Sequence, residues 1–487
     1  MSKFTPTDEQ RAVIDLAGEG TNIAIQAGAG TGKTSTLILV AEAMPTKRIQ
    51  YVAFNKAIVT EAGGKFPDNV NCSTAHALAY RAIVAGNRTL QRRLQSSERM
   101  PSWDQAKIMG LPKGGTQVGD KHLRDSQLAG IVNRAVTKFC QSGDPEITER
   151  HFPYIDGIDE PDEFGQRTYR NNNAARAYLL PFARRTWADL TSESGRLPFK
   201  HEHYLKMWQL SGPTIPADVI LFDEAQDANP VMVAIVAAQT HAQIIWVGDS
   251  QQQIYSFTGA INALDNVPRD RQAFLTQSFR FGPAIAEHAN TILDELNADL
   301  RLKGTPTIES TVGMIDSPNA FLTRTNAAAI MQVLSAQQAG TKVHLVGDGK
   351  EFLAFARAAE KLMAGKRVEH PDLACFDSWA AVLEYVQTDE QGEELRLNVK
   401  LVTEFGTAVI IAALSGTVRE SDADLIVSTA HKSKGREWSK VTLGPDFPPR
   451  EKAHDEERRL LYVACTRAMH ALDVTRVPYF NPAEGVA

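Results

Sequence analysis

The sequence predicts an α/β fold in which two sets of strands, each flanked by helices, form parallel sheets, and each set is interrupted by an insertion. Three observations carry this expectation. An apolar run, Asn22 to Ala27, leads into the glycine-rich stretch Ala27-Gly28-Ala29-Gly30-Thr31-Gly32-Lys33-Thr34, and a helical pattern from Ser35 to Ala43 leaves it. A second apolar run, Val219-Ile220-Leu221-Phe222, ends in Asp223-Glu224. Beyond Leu275 a further series of strand-like runs begins, at 320–326, 342–348, 425–429 and 471–477.

At 487 residues the chain exceeds what one ordinary core organises. The N-terminus has no apolar leader, and the longest apolar stretches, 231–238 and 406–414, are too short to span a bilayer, so a soluble cytoplasmic protein is expected, nucleoid-associated in a bacterium or phage. Cys72, Cys140, Cys375 and Cys465 are scattered, which argues against a zinc ribbon and a disulfide framework. His201-Glu202-His203 lacks partner ligands at a recognisable spacing, and no structural metal is assigned. The formal net charge of −6 points to no polyanionic partner, but its distribution is uneven. Eleven Lys or Arg lie between Arg81 and Lys138, and eight acids with only Arg150 lie between Asp144 and Glu163. Such blocks are either two solvated faces or a basic surface that meets a nucleic-acid backbone.

Taken in order, Phe4 to Gln10 reads as a turn and helix cap, followed by an apolar helical pattern through Leu16. The Gln10 amide can read an adenine edge, since it offers both donor and acceptor. In the glycine-rich stretch, strand before and helix after define a P-loop: the glycines let the backbone wrap phosphate oxygens, Lys33 reaches the β- and γ-phosphates, and the Thr34 hydroxyl sits on Mg²⁺. Ala27 stands where the first glycine is usual. Strands follow at 49–54, ending in Phe54-Asn55-Lys56, and in a run ending Ser73-Thr74-Ala75-His76. From about Gly86 to Pro213 the alternation fades into a mainly helical insertion. Where it resumes, Asp223 is the metal-side acid and Glu224 the base for the attacking water. A third strand, 243–247, runs into Gly248-Asp249-Ser250-Gln251-Gln252-Gln253 and then Tyr255 and Phe257, which offer a γ-phosphate sensor and stacking surfaces. Residues 365–419 read as a short, less regular insertion, and the last long helix begins at Asp455 and ends near Thr466-Arg467-Ala468.

The series of motifs from Gln10 to Arg467 resembles the UvrD/Rep-type superfamily 1A DNA helicases over nearly the whole chain. Phe54-Asn55-Lys56, Thr74 to Tyr80 and Gln277-Ser278-Phe279-Arg280-Phe281-Gly282 are similar to the F-box DNA helicase branch, although no F-box is evident. The resemblance implies two RecA-like domains with ATP between them. It places the first at 1–86 and 213–271, its insertion at 87–212, the second at 272–364 and 420–487, and a reduced insertion at 365–419. It implies adenine contacts from Gln10 and Phe279, phosphate contacts from Gly28, Ala29, Gly30, Thr31, Gly32, Lys33, Thr34 and Ser35, and Mg²⁺ held by Thr34 and Asp223. Glu224 is then the base, Gln252 the γ-phosphate sensor, Arg280 and Arg467 the arginine fingers, and Glu437 a ribose or coupling contact. The implied DNA track comprises Phe54, Asn55, Thr74, His76, Tyr255 and Phe257 on the first domain, and Arg324, Asn326, Thr429, His431 and Lys434 on the second.

Ser35, Phe257 and Thr258 depart from the arginine, tryptophan and arginine that many relatives carry, and Arg436-Glu437-Trp438 replaces Leu-Glu-Phe. The implied activity is ATP-driven translocation on single-stranded DNA, 3′ to 5′, with duplex unwinding in replication, repair or recombination. Single-strand/duplex junctions are the expected partners, with recombinase or single-strand-binding protein beside them, for a monomer in solution. Two alternatives are a remodeller that strips recombinase from DNA while unwinding poorly, and a non-motor ATP-dependent switch that binds a partner protein.

Overall fold

The structure, a computed structural model, describes residues 5–53, 56–96, 100–118, 121–155, 157–160, 162–163, 166, 168–254, 264, 267–347, 349–374, 376–388 and 393–481. Its strands in chain order are β1 (Ile23–Ala27), β2 (Ile49–Ala53), β3 (Val70–Thr74), β4 (Thr116–Val118), β5 (Lys121–Leu123), β6 (Val219–Phe222), β7 (Gln243–Gly248), β8 (Arg271–Leu275), β9 (Thr311–Val312), β10 (Ala320–Thr323), β11 (Val343–Leu345), β12 (Leu425–Thr429), β13 (Trp438–Leu443) and β14 (Ala468–Asp473).

Two six-stranded sheets result, ordered β3-β2-β6-β7-β1-β8 and β11-β12-β10-β13-β14-β9, with every pairing parallel. With helices packed against the sheets, the chain is built of two RecA-like α/β domains. β6, apolar throughout, and β2, apolar but for Gln50, are buried along their whole length, as parallel strands covered on both sides require. Parallel pairing also brings the carboxyl ends of β1, β6 and β7 to one edge, where the loops that follow them meet. The first helix, Asp8–Gly18, opens on a reciprocal cap in which Thr7 and Gln10 bond each other's backbone amides.

The boundary expected at residue 271 falls at the start of β8, which pairs with β1 from Ile23↔Arg271 to Ala27↔Leu275 and so closes the first sheet. The chain leaves that sheet under a clamp: the Glu9 carboxylate accepts from Thr276 N at 2.7 Å and from Gln277 N at 3.3 Å.

The first insertion has a core of its own around Leu128, Ile131, Phe139, Leu179 and Ala183, drawn from the helices Asp125–Gln141 and Arg170–Thr191. The helix His201–Leu210 instead gives Tyr204, Leu205 and Trp208 to the core of the first sheet. The second insertion is more regular than expected. It contains the helices Trp379–Thr388, Glu393–Phe405 and Thr407–Ser415, and its Val382, Leu395, Val399 and Ile410 share one core with Phe321, Val343 and Val427 of the second sheet. The two insertions meet where Trp103 sets its ring edge-on to Tyr385, centroids 6.2 Å apart. Among the described residues no single helix is long and apolar enough to cross a membrane.

Candidate nucleotide site between the two sheets

The P-loop bends because Gly30 and Gly32 adopt φ of 73° and 75°, a region that costs a residue with a Cβ about 1–2 kcal/mol. Space matters as much as dihedral. A Cβ on Gly30 would lie 2.6 Å from Ser278 Oγ and 2.7 Å from Arg280 Cβ, and one on Gly28 would lie 2.3 Å from a Leu302 methyl. The loop is therefore packed under the segment that enters the second domain. Phe279 N donates to the Gly30 carbonyl at 2.8 Å, and Ala29 and Ile254 belong to the same core as Ile285, Leu322 and Tyr462.

Behind the loop, the helix Lys33–Ala43 starts with its two reactive side chains facing the β6 carboxylates. Lys33 Nζ lies 2.9 Å from Glu224 Oε2, and Thr34 Oγ1 donates to Asp223 Oδ2 at 2.9 Å. The same Asp223 oxygen accepts from Tyr51 Oη on the neighbouring β2 at 2.7 Å. Burial pushes Asp223 above the usual carboxylate range, and the neighbouring Glu224 charge adds to this. Burial also acts to raise Glu224, but Lys33 and then Lys434 outweigh it and hold Glu224 below its ordinary value. For Lys33 the desolvation penalty is outweighed by Glu224, Asp249 and Asp223, so the ammonium stays charged. Glu224 is non-glycine at φ 54°, a conformation fixed by its own amide donating to Asp223 Oδ1 and by Gln226 Nε2 donating to Oε2 at 2.5 Å.

The facing wall comes from the second domain. Arg467 is fully buried at the end of the helix Asp455–Cys465, with Nε on Val463 O at 2.8 Å and Nη2 on Gln252 Oε1 at 3.3 Å. Gln252 Nε2 donates in turn to Asp249 Oδ2 at 2.7 Å. Arg280 Nε pairs with Glu437 Oε2 at 2.7 Å while its Nη1 donates to Thr466 O at 3.0 Å, so both arginines are steered by the same turn of chain. Phe279 remains 48% exposed beside Gly32, its ring 3.4 Å from where a Cβ there would be, and Gln10 donates to Thr36 Oγ1 at 3.1 Å on the same side. Ser35 is exposed on the first turn of the P-loop helix.

The expected DNA positions are distributed differently. Thr74 caps the helix Ala75–Ala79 by accepting from Ala77 N at 3.0 Å, and His76 lies edge-on to Tyr204. Thr429 ends β12 and His431 lies in the turn beyond it, and Arg324 and Asn326 follow the adjacent β10, where Thr323 is in register with Thr429. The Arg324 guanidinium is held by Glu457, with Nε 2.8 Å from Oε2. Lys434, expected on the DNA track, instead crosses the cleft: its ammonium sits 2.6 Å from Asp227 Oδ2 and 2.7 Å from the Gln252 carbonyl oxygen. Phe54, Asn55, Tyr255, Phe257 and Thr258 lie outside the described residues.

Several members of the site went unassigned in the sequence. Asp227 and Gln226 stand in the run that opens with Asp223-Glu224, Asp249 precedes the expected sensor by three residues, and Tyr462 precedes Arg467 by five. Spacing placed them near the site, but a contact such as Tyr51 with Asp223 depends on sheet order, which the sequence alone does not display.

No group of three or more His, Cys, Asp or Glu among the described residues is arranged to hold a metal ion. His203 Nδ1 accepts from Lys200 N and His201 bonds the Tyr204 hydroxyl, so that cluster serves its own helix. The Thr34 hydroxyl and the Asp223 carboxylate, two oxygens in contact, do fit a hard divalent cation that takes most of its ligands from phosphate and water.

A P-loop, a strand-end acid pair and two arginines delivered from a second parallel sheet together define a two-domain P-loop nucleotide-binding protein. Residues 6–270 match the family model described as the UvrD/REP helicase N-terminal domain, and residues 424–475 match the UvrD-like helicase C-terminal domain. The chain belongs to the UvrD/REP helicase family. It is 30% identical to F-box DNA helicase protein 1 of Schizosaccharomyces pombe, across 96% of this chain and 57% of that protein. It is also 30% identical to F-box DNA helicase 1 of Gallus gallus, across 97% and 49%, and 24% identical to DNA helicase IV of Escherichia coli, across 95% and 66%. The chain thus spans about half the length of the two F-box relatives.

Proposed function

We propose that this protein is a DNA-dependent ATPase that translocates on single-stranded DNA and separates duplex, moving 3′ to 5′. The observation that carries the reading is the Arg467–Gln252–Asp249 chain, which places a buried cation of the second domain against the nucleotide face of the first. In this reading Lys33 uses one donor on Glu224 and offers the others to the β- and γ-phosphates. Glu224, kept ionised, accepts a proton from the attacking water. Arg280 and Arg467 meet the charge that develops on the transferred phosphoryl group, a contribution of about 10³–10⁵ in rate for such fingers. Thr34 and Asp223 would hold Mg²⁺, which would neutralise phosphate charge when bound. Phe279 and Gln10 take the adenine.

Because the arginines belong to one sheet and the P-loop to the other, hydrolysis follows domain closure, and a strand lying across both sheets biases that closure. The Thr74 and His76 edge of the first sheet and the Arg324, Asn326, Thr429 and His431 edge of the second are the proposed contacts for that strand. Each base-pair step to be opened costs roughly 1.4 kcal/mol of stacking, within reach of repeated ATP turnover. The F-box relatives, whose names state a DNA helicase, favour the same substrate. The short second insertion at 365–419 motivates a second reading, a remodeller that strips recombinase from DNA and unwinds weakly.

The test is ATP hydrolysis with and without single-stranded DNA, followed by strand displacement from duplexes with a 3′ or a 5′ overhang. DNA stimulation and 3′-overhang displacement are expected; turnover indifferent to DNA would return the protein to the class of ATP-dependent switches. Clearance of a recombinase filament without duplex opening would select the second reading.

A further inference from the structure

Tyr462 is fully buried on the helix that ends just before Arg467, and its phenol reaches out of the second domain's core into the first domain. The hydroxyl accepts from the P-loop amide Ala29 N at 3.2 Å and donates to Asp249 Oδ2 at 3.2 Å. That same carboxylate oxygen accepts from Gln252 Nε2, and Gln252 Oε1 accepts from Arg467 Nη2. Tyr462 and Arg467, five residues apart, therefore grip the Asp249–Gln252 pair from two sides, and one of the two prongs also holds the P-loop backbone. Packing does not account for the phenol oxygen: a phenylalanine fills the same apolar space, and burying a hydroxyl is unfavourable unless it is bonded.

We propose that Tyr462 is a positioning residue for the reaction, whose hydroxyl fixes the distance between the P-loop and the Gln252–Arg467 pair when the two domains close. The inference rests on the ATPase reading above and adds to it a direct tie between the phosphate loop and the arginine-bearing helix. Closure then sets three things in one movement: the Ala29 amide, the Gln252 carboxamide and the Arg467 guanidinium.

The test is Tyr462→Phe, with Asp249→Asn as a second variant that keeps the tyrosine. Three measurements are made on the full chain: amide hydrogen exchange at Ala29, binding of a fluorescent ATP analogue, and steady-state ATP hydrolysis with single-stranded DNA. Ala29 exchange is expected to accelerate about 10-fold, as loss of one buried hydrogen bond allows. Analogue affinity is expected to hold within about 3-fold while kcat falls roughly 10–100-fold, the split that marks an interaction made at the reacting geometry. Asp249→Asn, which alters the acceptor shared by Tyr462 and Gln252, is expected to lower kcat in the same range with analogue affinity held. Unchanged Ala29 exchange, or a wild-type kcat in Tyr462→Phe, overturns the proposal. A wild-type protein without ATPase activity would overturn the broader reading instead, and the exchange measurement would still judge the tie.

Discussion

Lys434 Nζ lies 2.6 Å from Asp227 Oδ2, an ion pair that joins the loop after β12 to the loop after β6 across the cleft, with side chains only 10% and 4% exposed. Removing one partner of so buried a pair leaves the other charge uncompensated. Lys434→Ala is expected to destabilise the protein by about 3–5 kcal/mol, and the double variant with Asp227→Asn to recover most of that loss, as measured by urea unfolding.

The same pair makes stability depend on pH in a definite direction. Burial, acting against Lys434, raises Asp227 to about 6, above its unfolded value. A carboxyl with a raised folded pKa binds protons more tightly when folded, so its contribution is fully present below the unfolded pKa and is lost as pH rises toward 6. The stability difference between wild type and Asp227→Asn is therefore expected to move against wild type from about pH 4 to pH 6 and to be flat above that. A difference independent of pH in that window would contradict the assignment.

Glu224 behaves in the opposite sense. Its folded pKa is lowered to about 2, with Lys33 overcoming burial, so its contribution is present above the unfolded pKa and lost as pH falls toward the folded one. Lys33→Ala is expected to abolish ATP turnover and also to narrow the stability gap to wild type between about pH 4.5 and pH 2. Acid titration of the two proteins by circular dichroism checks this without any activity assay.

Gly30→Ala addresses the seam between the domains. Its φ of 73° and the 2.6 Å approach to Ser278 Oγ leave no room for a methyl group. Besides about 1–2 kcal/mol of backbone strain, the methyl must push Ser278 and Arg280 away. The expected outcome is a folded protein whose small-angle scattering is more extended and whose DNA stimulation of ATPase activity is lost.

Phe279 is exposed over nearly half its surface and contributes little to the core. Phe279→Ala is expected to leave the melting temperature unchanged while raising KM for ATP about 10-fold, within the ~1–3 kcal/mol that stacking a base on an aromatic ring supplies. An unaltered KM would remove Phe279 from the adenine site.

Several strands and the acid pair that follows β6 were legible because each is announced locally: an apolar run of strand length followed by glycine or acid is read without knowing what lies beside it. β6 into Asp223-Glu224 and β1 into the P-loop are of this kind. The Lys434–Asp227 pair was not legible, since 207 positions separate the partners and a lysine in a basic loop looks the same whether it meets phosphate or carboxylate. The second insertion was read as less regular because its acidic run at 389–394 masks the apolar periodicity of the helices on either side. β8 gave no strand signal for a related reason: Arg271, Gln272 and Phe274 are exposed on the sheet's edge, so the strand lacks the continuous apolar signature of its neighbours.

The edge-on meeting of Trp103 and Tyr385 turns a row of domains into a circuit, from first sheet to first insertion, across the two rings to the second insertion, and back through the second sheet and the cleft. A strand crossing both sheets along the proposed track enters such a circuit either by its end or through its seam. The aromatic geometry at the seam is worth about 0.5–1.5 kcal/mol, one to three times the thermal energy. A seam held by that geometry alone would be a latch rather than a weld, and a nucleic acid without free ends would pass it without being threaded.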